Sequence, residues 1–291
     1  MESKFLSLKA PLFLNISIST VLALPLFLGL NAYPNMNISA KSIINRIIVG
    51  TIFLSVGAII GIYIGMKKDL YWVTLFNGKD LSGWSIESFD TDSQKEYWKA
   101  ADGMIVCDSM GDKDHDSIWL KHALEIEDFE LKLKFRAYRD SPGNSGVQVR
   151  SRWVSRPDLP KGAWMHGPQV DIHPPLPWRT GLIYDETPET KRWISPSMSS
   201  WKIESTDGPS EWVFNYADSP NAWNDLIIRC NGTQITTTLN GMLVTDFEGE
   251  GLLNDVAHKK HRVGMRGFIA LQLHTKDELK MHFKDIFIRE L

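Results

Sequence analysis

The chain has 291 residues with 43% hydrophobic side chains, enough for a sizeable core and one or two domains. Its net charge is −3 at pH 7, and beyond residue 70 there remain 26 basic against 33 acidic side chains. That balance excludes binding to nucleic acid through its phosphates, and two cysteines, Cys107 and Cys230, make neither a disulfide framework nor a zinc site.

Two uncharged apolar runs open the chain, at about 11–32 and 47–66, each near the roughly 20 residues that a helix needs to cross a bilayer. They predict a membrane anchor over 1–70 with two transmembrane helices. In the first run, Asn15, Ser17, Ser19, Thr20 and Pro25 dilute the apolar character, and Leu30-Asn31-Ala32 also fits a signal-peptidase site. With both spans retained, Lys4, Lys9, Lys67 and Lys68 outnumber Lys41 and Arg46 of the connecting loop. The expectation is a two-pass protein of the cell inner membrane, with the charge bias favouring a cytoplasmic body. Gly57, Gly61 and Gly65 form a stripe of small residues on the second span, a face that admits another helix closely. That helix belongs either to another transmembrane subunit or to the first span of the same chain. Neither span contains His, Asp, Glu, Lys or Arg, which argues against a proton path or pigment ligand there.

From residue 71 onward the pattern changes to short strands and turns. Phe129, Leu131, Leu133, Phe135 and Ala137 alternate with Glu130, Lys132, Lys134, Arg136 and Tyr138, the period-two signature of a strand with one buried face. Segments 223–230, 234–239 and 243–247 repeat the pattern. Asn240-Gly241 joins the last two, and this pair readily takes positive φ at both central positions of a hairpin turn. Segments 268–274 and 281–288 close the chain. About ten strands without intervening helices predict an all-β sandwich of jelly-roll type over 71–291. Segments 151–167 and 187–211 read as long irregular loops.

Three strands carry polar residues opposite an apolar edge: Gln148 and Arg150 against Val147 and Val149, Gln169, Asp171 and His173 against Val170 and Ile172, and Gln272 and His274 against Ile269, Leu271 and Leu273. In one sheet these sets would line a single site. Arg, Asp and two His supply a fixed positive charge, a carboxylate and two groups titrating near neutrality. Each set taken singly reads as a solvated sheet face.

The segments LFNGKDLSGW at 75–84, FELKLKFR at 129–136, GNSGVQVR at 143–150, QVDIH at 169–173, TGLIYDE at 180–186, AWNDLIIRCNGTQITTTLNG at 222–241 and GFIALQLH with FKDIFIREL within 267–291 together resemble the 3-keto-disaccharide hydrolase family. The resemblance spans about residues 73–291 and implies a concanavalin-like β-sandwich acting on glycosides oxidised at C3. A C3 ketone acidifies the C2 proton, so a base can remove it and the C1 substituent can leave. The resemblance implies His274 or Asp171 as base, Arg150 or a divalent metal polarising the ketone, and His173 as acid or ligand. Gln148, Gln169, Gln272, Tyr184 and Glu186 are the expected substrate contacts. After Glu186 the sequence runs Thr-Pro-Glu-Thr-Lys-Arg-Trp, where relatives often carry a glycine-containing turn, a departure in the substrate-side loop.

Three functions compete at this point. One is a membrane-tethered enzyme acting on 3-keto glycosides, without a required cofactor. Another is a glycan-binding module using Trp164 and Trp178 as stacking platforms. The main expectation is an accessory subunit of a larger membrane complex, held by the Gly57/Gly61/Gly65 face. The arrangement of such a domain behind two spans is similar to accessory subunits of bacterial photosynthetic reaction-centre and light-harvesting complexes.

Overall fold

The computed structural model describes residues 71–141, 143–155, 163–174, 178–198, 214–219 and 222–291. The two expected membrane spans and the Gly57, Gly61 and Gly65 stripe lie outside these residues. Among the described residues no helix is long and apolar enough to cross a membrane.

In chain order the strands are β1 (Val73–Thr74), β2 (Trp84–Glu87), β3 (Trp98–Ala101), β4 (Met104–Asp108), β5 (Ile118–Ile126) and β6 (Phe129–Ala137). Then come β7 (Ser145–Ser155), β8 (Ala163–His166), β9 (Pro168–Ile172), β10 (Ile183–Asp185), β11 (Arg192–Ser195) and β12 (Ser197–Met198). The last group is β13 (Asn224–Asn231), β14 (Gln234–Leu239), β15 (Met242–Glu248), the helix α1 (Val256–His261), β16 (Gly267–Leu273) and β17 (Lys280–Glu290).

They form two antiparallel sheets, one ordered β15-β14-β13-β6-β17-β4-β3 with β1 beside β17, the other ordered β12-β11-β10-β9-β7-β16-β5-β2 with β8 beside β7. The expected all-β sandwich is thus present, and its core lies between the sheets. Val147, Val149, Val170, Ile172, Leu271 and Leu273 of the nine-stranded sheet are buried in one cluster with Leu131, Leu133, Phe135, Leu226, Ile228 and Phe283 of the eight-stranded sheet. The alternation in β6 decides which edge is buried, since its odd positions are buried and its even ones are not. The hairpin at Asn240-Gly241 has φ of 49° and 85°, the left-handed pair that its residue types favour.

Two stretches expected to be irregular carry strands instead. Within 151–167, β7 continues to Ser155 and pairs with β8, and within 187–211, β11 and β12 extend the nine-stranded sheet. Their Trp, Ser and Arg content hides the alternation, because on this sheet's outer face aromatic residues pack against one another: Trp119 and Met165 are buried, with Trp153 and Trp164 against them.

Candidate functional site

The nine-stranded sheet builds the site on its outer face. Register sets Gln272 of β16 opposite Gly146 of β7, and Gly146 opposite Asp171 of β9. The neighbouring row pairs Gln148 with Gln169, Gln169 with Tyr184 and Tyr184 with Trp193. Opposed residues share a face, so the polar sets of three distant segments come together with two aromatic rings. Gly146 is required at its place, because a Cβ there would lie 2.6 Å from the Gln169 side chain.

A pocket of 80 Å³ opens on this face, lined by Asn144, Gln169, Asp171, Arg179, Tyr184, Glu186, Trp193 and His274. Of the expected site residues it contains Asp171, His274, Gln169, Tyr184 and Glu186. Behind it runs a directed chain of hydrogen bonds: Ser151 Oγ donates to Gln148 Oε1 (2.7 Å), Gln148 Nε2 to Gln169 Oε1 (3.0 Å), and Gln169 Nε2 to Asp171 Oδ1 (3.2 Å). Asp171 is only 2% exposed, and its Oδ2 has no hydrogen-bond partner among the described residues. Burial pushes its pKa up to about 7, against the opposing pull of Arg179, His274 and the Gln169 amide.

His274 follows β16 and is held by Asp277, with Nδ1 to Oδ2 at 3.1 Å. The same Asp277 oxygen accepts from the Asn144 backbone N–H at 2.8 Å. Burial works to lower the His274 pKa, but the bond to Asp277 and the nearby Asp171 and Glu186 carboxyls outweigh it and leave it raised. Burial likewise raises Glu186, whose Oε2 accepts from Trp164 Nε1 at 3.0 Å. Tyr184 is raised too, by burial first and then by Glu186 and Asp185. The arrangement therefore offers protonatable carboxyls, an imidazole inclined to carry charge, and the Arg179 guanidinium in one pocket.

Six expected residues stand elsewhere. Arg150 has φ of +49°, and Ile269 faces two residues of β7 rather than one, since Phe268 pairs with Ser151 while Ala270 pairs with Gln148. This bulge breaks the two-residue alternation and turns Arg150 away from the face that Gln148 occupies. Its guanidinium, 0% exposed, donates to the carbonyls of Glu127, Gly232 and Gly264 and to Asp128 Oδ1 at 2.6 to 3.1 Å. It bolts loops of both sheets together and does not reach the pocket. His173 is at the end of β9, and its Nδ1 donates to the Pro174 carbonyl at 2.7 Å; burial first, then Arg179, lowers its pKa. Trp178 is 1% exposed and belongs to the inter-sheet core, edge-on to Phe214, so it is no stacking platform. Trp164 stands edge-on to Trp119 and serves Glu186. Gln148 and Gln272 are buried beneath the pocket rather than on its wall.

The sequence reading missed Asn144, Arg179, Trp193 and Asp277. Asp277 stands three residues after His274 and Asn144 inside the GNSG segment, so local spacing could have flagged both. Arg179 lies in a connection whose direction only the fold decides. No group of three or more His, Cys, Asp and Glu side chains among the described residues is arranged to hold a metal ion.

Behind the pocket, Asp185 is fully buried and joined to His258 of α1, with Oδ2 to Nε2 at 2.8 Å. His258 Nδ1 meets Asp255 Oδ1 at 2.9 Å. The histidine thus lies between two carboxylates, which raise its pKa against the effect of burial. This pair anchors β10, which carries Tyr184 and is followed directly by Glu186.

Several solved structures are similar to this chain. Two Parabacteroides distasonis proteins provisionally assigned as glycosyl hydrolases are 19% and 22% identical, cover 94% and 100% of their own chains and 76% of this one, and have TM-scores of 0.47. A Bacillus subtilis protein of unknown function with a galectin-like fold is 10% identical, with 76% of this chain and 95% of that one covered and a TM-score of 0.48. No curated protein matches the chain. The expectation of an accessory subunit of a photosynthetic or other membrane complex draws no support from these matches. Residues 71–289 match the model of the 3-keto-alpha-glucoside-1,2-lyase-like domain, and the chain belongs to that family.

Proposed function

We propose that the chain is an enzyme that cleaves 3-keto glycosides by removing the C2 proton and expelling the C1 substituent. The observation that carries this reading is Asp171, a carboxyl with pKa about 7 in a pocket shared with Arg179 and His274, within a domain of the lyase-like family. A general base is most effective when its pKa lies near the working pH. Asp171 takes the C2 proton through its Oδ2, the oxygen without a hydrogen-bond partner among the described residues. Electrons of the broken C2–H bond form the C1–C2 double bond as the C1–O bond breaks. Arg179 stabilises the negative charge that develops on the C3 oxygen. His274, protonated and held through Nδ1 by Asp277, gives a proton to the departing oxygen. Addition of water to the resulting enone would complete a hydrolysis.

Asp171→Asn and His274→Gln each lower kcat on a 3-keto glucoside by about 100-fold or more. Wild-type kcat/KM rises with pH through about 7 as Asp171 ionises, and falls again when His274 loses its proton above its raised pKa. The Asp171→Asn variant loses the rising limb. Elimination at the wild-type rate in both variants, with the fold intact by circular dichroism, overturns the assignment. Saturable binding of the keto sugar with no turnover by the wild type would instead make the domain a glycan-binding module. The accessory-subunit role rests on the sequence of the first 70 residues alone and is tested by purification in mild detergent, where a stoichiometric membrane complex is its expected outcome.

A further inference from the structure

The outer face of the eight-stranded sheet differs from the pocket face: its middle strip, formed by β6 and β17, is half-buried and its charge is mainly positive. Lys132, Lys134 and Arg136 project from β6, and Lys280, Lys284 and Arg289 from the neighbouring β17. Register places Lys134 directly opposite Lys284 and Arg136 directly opposite His282. Like charges in opposed positions weaken a sheet, so the arrangement serves something other than folding. Glu130 and Asp225 answer part of the charge, pairing with Lys132, Arg229, Arg289 and Lys134. Arg136, Lys280 and Lys284 make no ion pair among the described residues, although the body as a whole is acidic.

These cations lie over aromatic rings. The Arg136 guanidinium and Lys284 Nζ are 4.2 and 4.3 Å from the Trp223 ring centre, and Lys132 Nζ and Arg289 lie 4.1 and 5.1 Å from that of Trp72. Lys280 Nζ stands 5.0 Å from Tyr138. His282 lies in the same field: burial first, then Arg136 and Lys280, lowers its pKa against the opposing pull of Asp108 and Asp102.

We infer that this face is a docking surface for an anionic lipid bilayer, with Trp72 and Trp223 at the headgroup level. Basic side chains interleaved with Trp and Tyr match the charge and polarity gradient of a membrane interface. The mainly basic β6–β17 strip complements negative charge that is spread over a surface, while further acidic residues of this face, Asp108 of β4 and Asp246 and Glu248 of β15, lie on strands to either side of it. Trp72 also follows closely after the apolar run 47–66 in the sequence. Any bilayer that holds that run is within reach of the intervening residues, which span at most about 3.5 Å each. Because the pocket lies on the outer face of the other sheet, docking here leaves it open. This inference does not depend on the chemistry proposed for the pocket.

The test uses the full chain in vesicles of phosphatidylcholine alone or mixed with phosphatidylglycerol. A water-soluble amine-acylating reagent is added and each lysine is followed by mass spectrometry. Lys132, Lys134, Lys280 and Lys284 are expected to react several-fold more slowly in the anionic vesicles, while Lys79, on an exposed turn, reacts equally in both. High salt abolishes the difference. The double variant Lys280→Gln/Lys284→Gln weakens the protection of Lys132 and Lys134 by about fivefold for each charge removed. Equal acylation in the two vesicles overturns the inference. So does protection in neutral vesicles by soluble polygalacturonate without protection by phosphatidylglycerol, which would assign the face to an acidic polysaccharide.

Discussion

The two outer faces of this sandwich start from the same backbone rule and end as opposites. On the eight-stranded sheet every second residue of β6 from Glu130 to Arg136 is half-buried and charged, and its side chains are met by water, rings and a few carboxylates. On the nine-stranded sheet the equivalent positions hold Gln148, Gln169, Asp171 and Gln272, all buried, and the first three are hydrogen-bonded in a chain. The difference teaches where chemistry can be stored. Water screens the charges on the first face, so each is worth little to the fold. On the second, removal from water raises both Asp171 and Glu186 by hindering their ionisation, and it makes Asp171, with a pKa of about 7, a proton carrier near neutral pH.

Replacing the buried charge that holds both sheets breaks this comparison most strongly. Arg150→Met leaves three carbonyls without this donor and Asp128 with only the Gly232 N–H, and a loss of about 3 to 5 kcal/mol in urea unfolding is expected. Because Arg150 lies outside the pocket, the folded fraction keeps its kcat/KM. A matching loss of turnover per folded molecule would return Arg150 to the site.

Asp171→Asn acts in the opposite direction on stability. Below 3.8, the ordinary value of the carboxyl, both the folded and unfolded chains hold the proton, and the native state is at no disadvantage. As pH rises from there to about 7, only the unfolded chain releases it, so that stability drains from the native protein across this window and no further above it. Asparagine does not titrate. The variant should therefore melt higher than the wild type at pH 8, by up to about 4 kcal/mol, and show little gain at pH 4. A constant difference across that range contradicts the burial of an ionisable Asp171.

The smallest effect belongs to the exposed face. Lys284→Gln removes one member of an opposed like-charge pair while losing its contact with Trp223. Its unfolding free energy should stay within about 0.5 kcal/mol of the wild type. A larger loss would mean that Lys284 is a structural residue after all.

Much of the sandwich was legible because alternation is a local property. β6, the Asn240-Gly241 hairpin and the two closing strands follow from side-chain periodicity and turn chemistry. The pocket was legible in part, since Gln169 and Asp171 share a strand edge whatever lies beside it. Arg150 failed for a physical reason: one left-handed residue in a bulge shifts the face of every side chain beyond it, and the residue type carries no mark of this. Trp178 failed because an indole in a loop is equally suited to a sugar and to a core. Trp164 escaped the same ambiguity only through its bond to Glu186.

By itself the sequence determined the strand periods, the apolar runs of the first 70 residues, the acidic balance and the family resemblance, since each depends on neighbours along the chain. Tertiary structure alone decided which polar edges meet, why Asp171 titrates near neutrality, and that Arg179 and Asp277 join the site. Those outcomes depend on register between strands that are far apart in sequence and on exclusion of water, and both exist only once the sheets have packed.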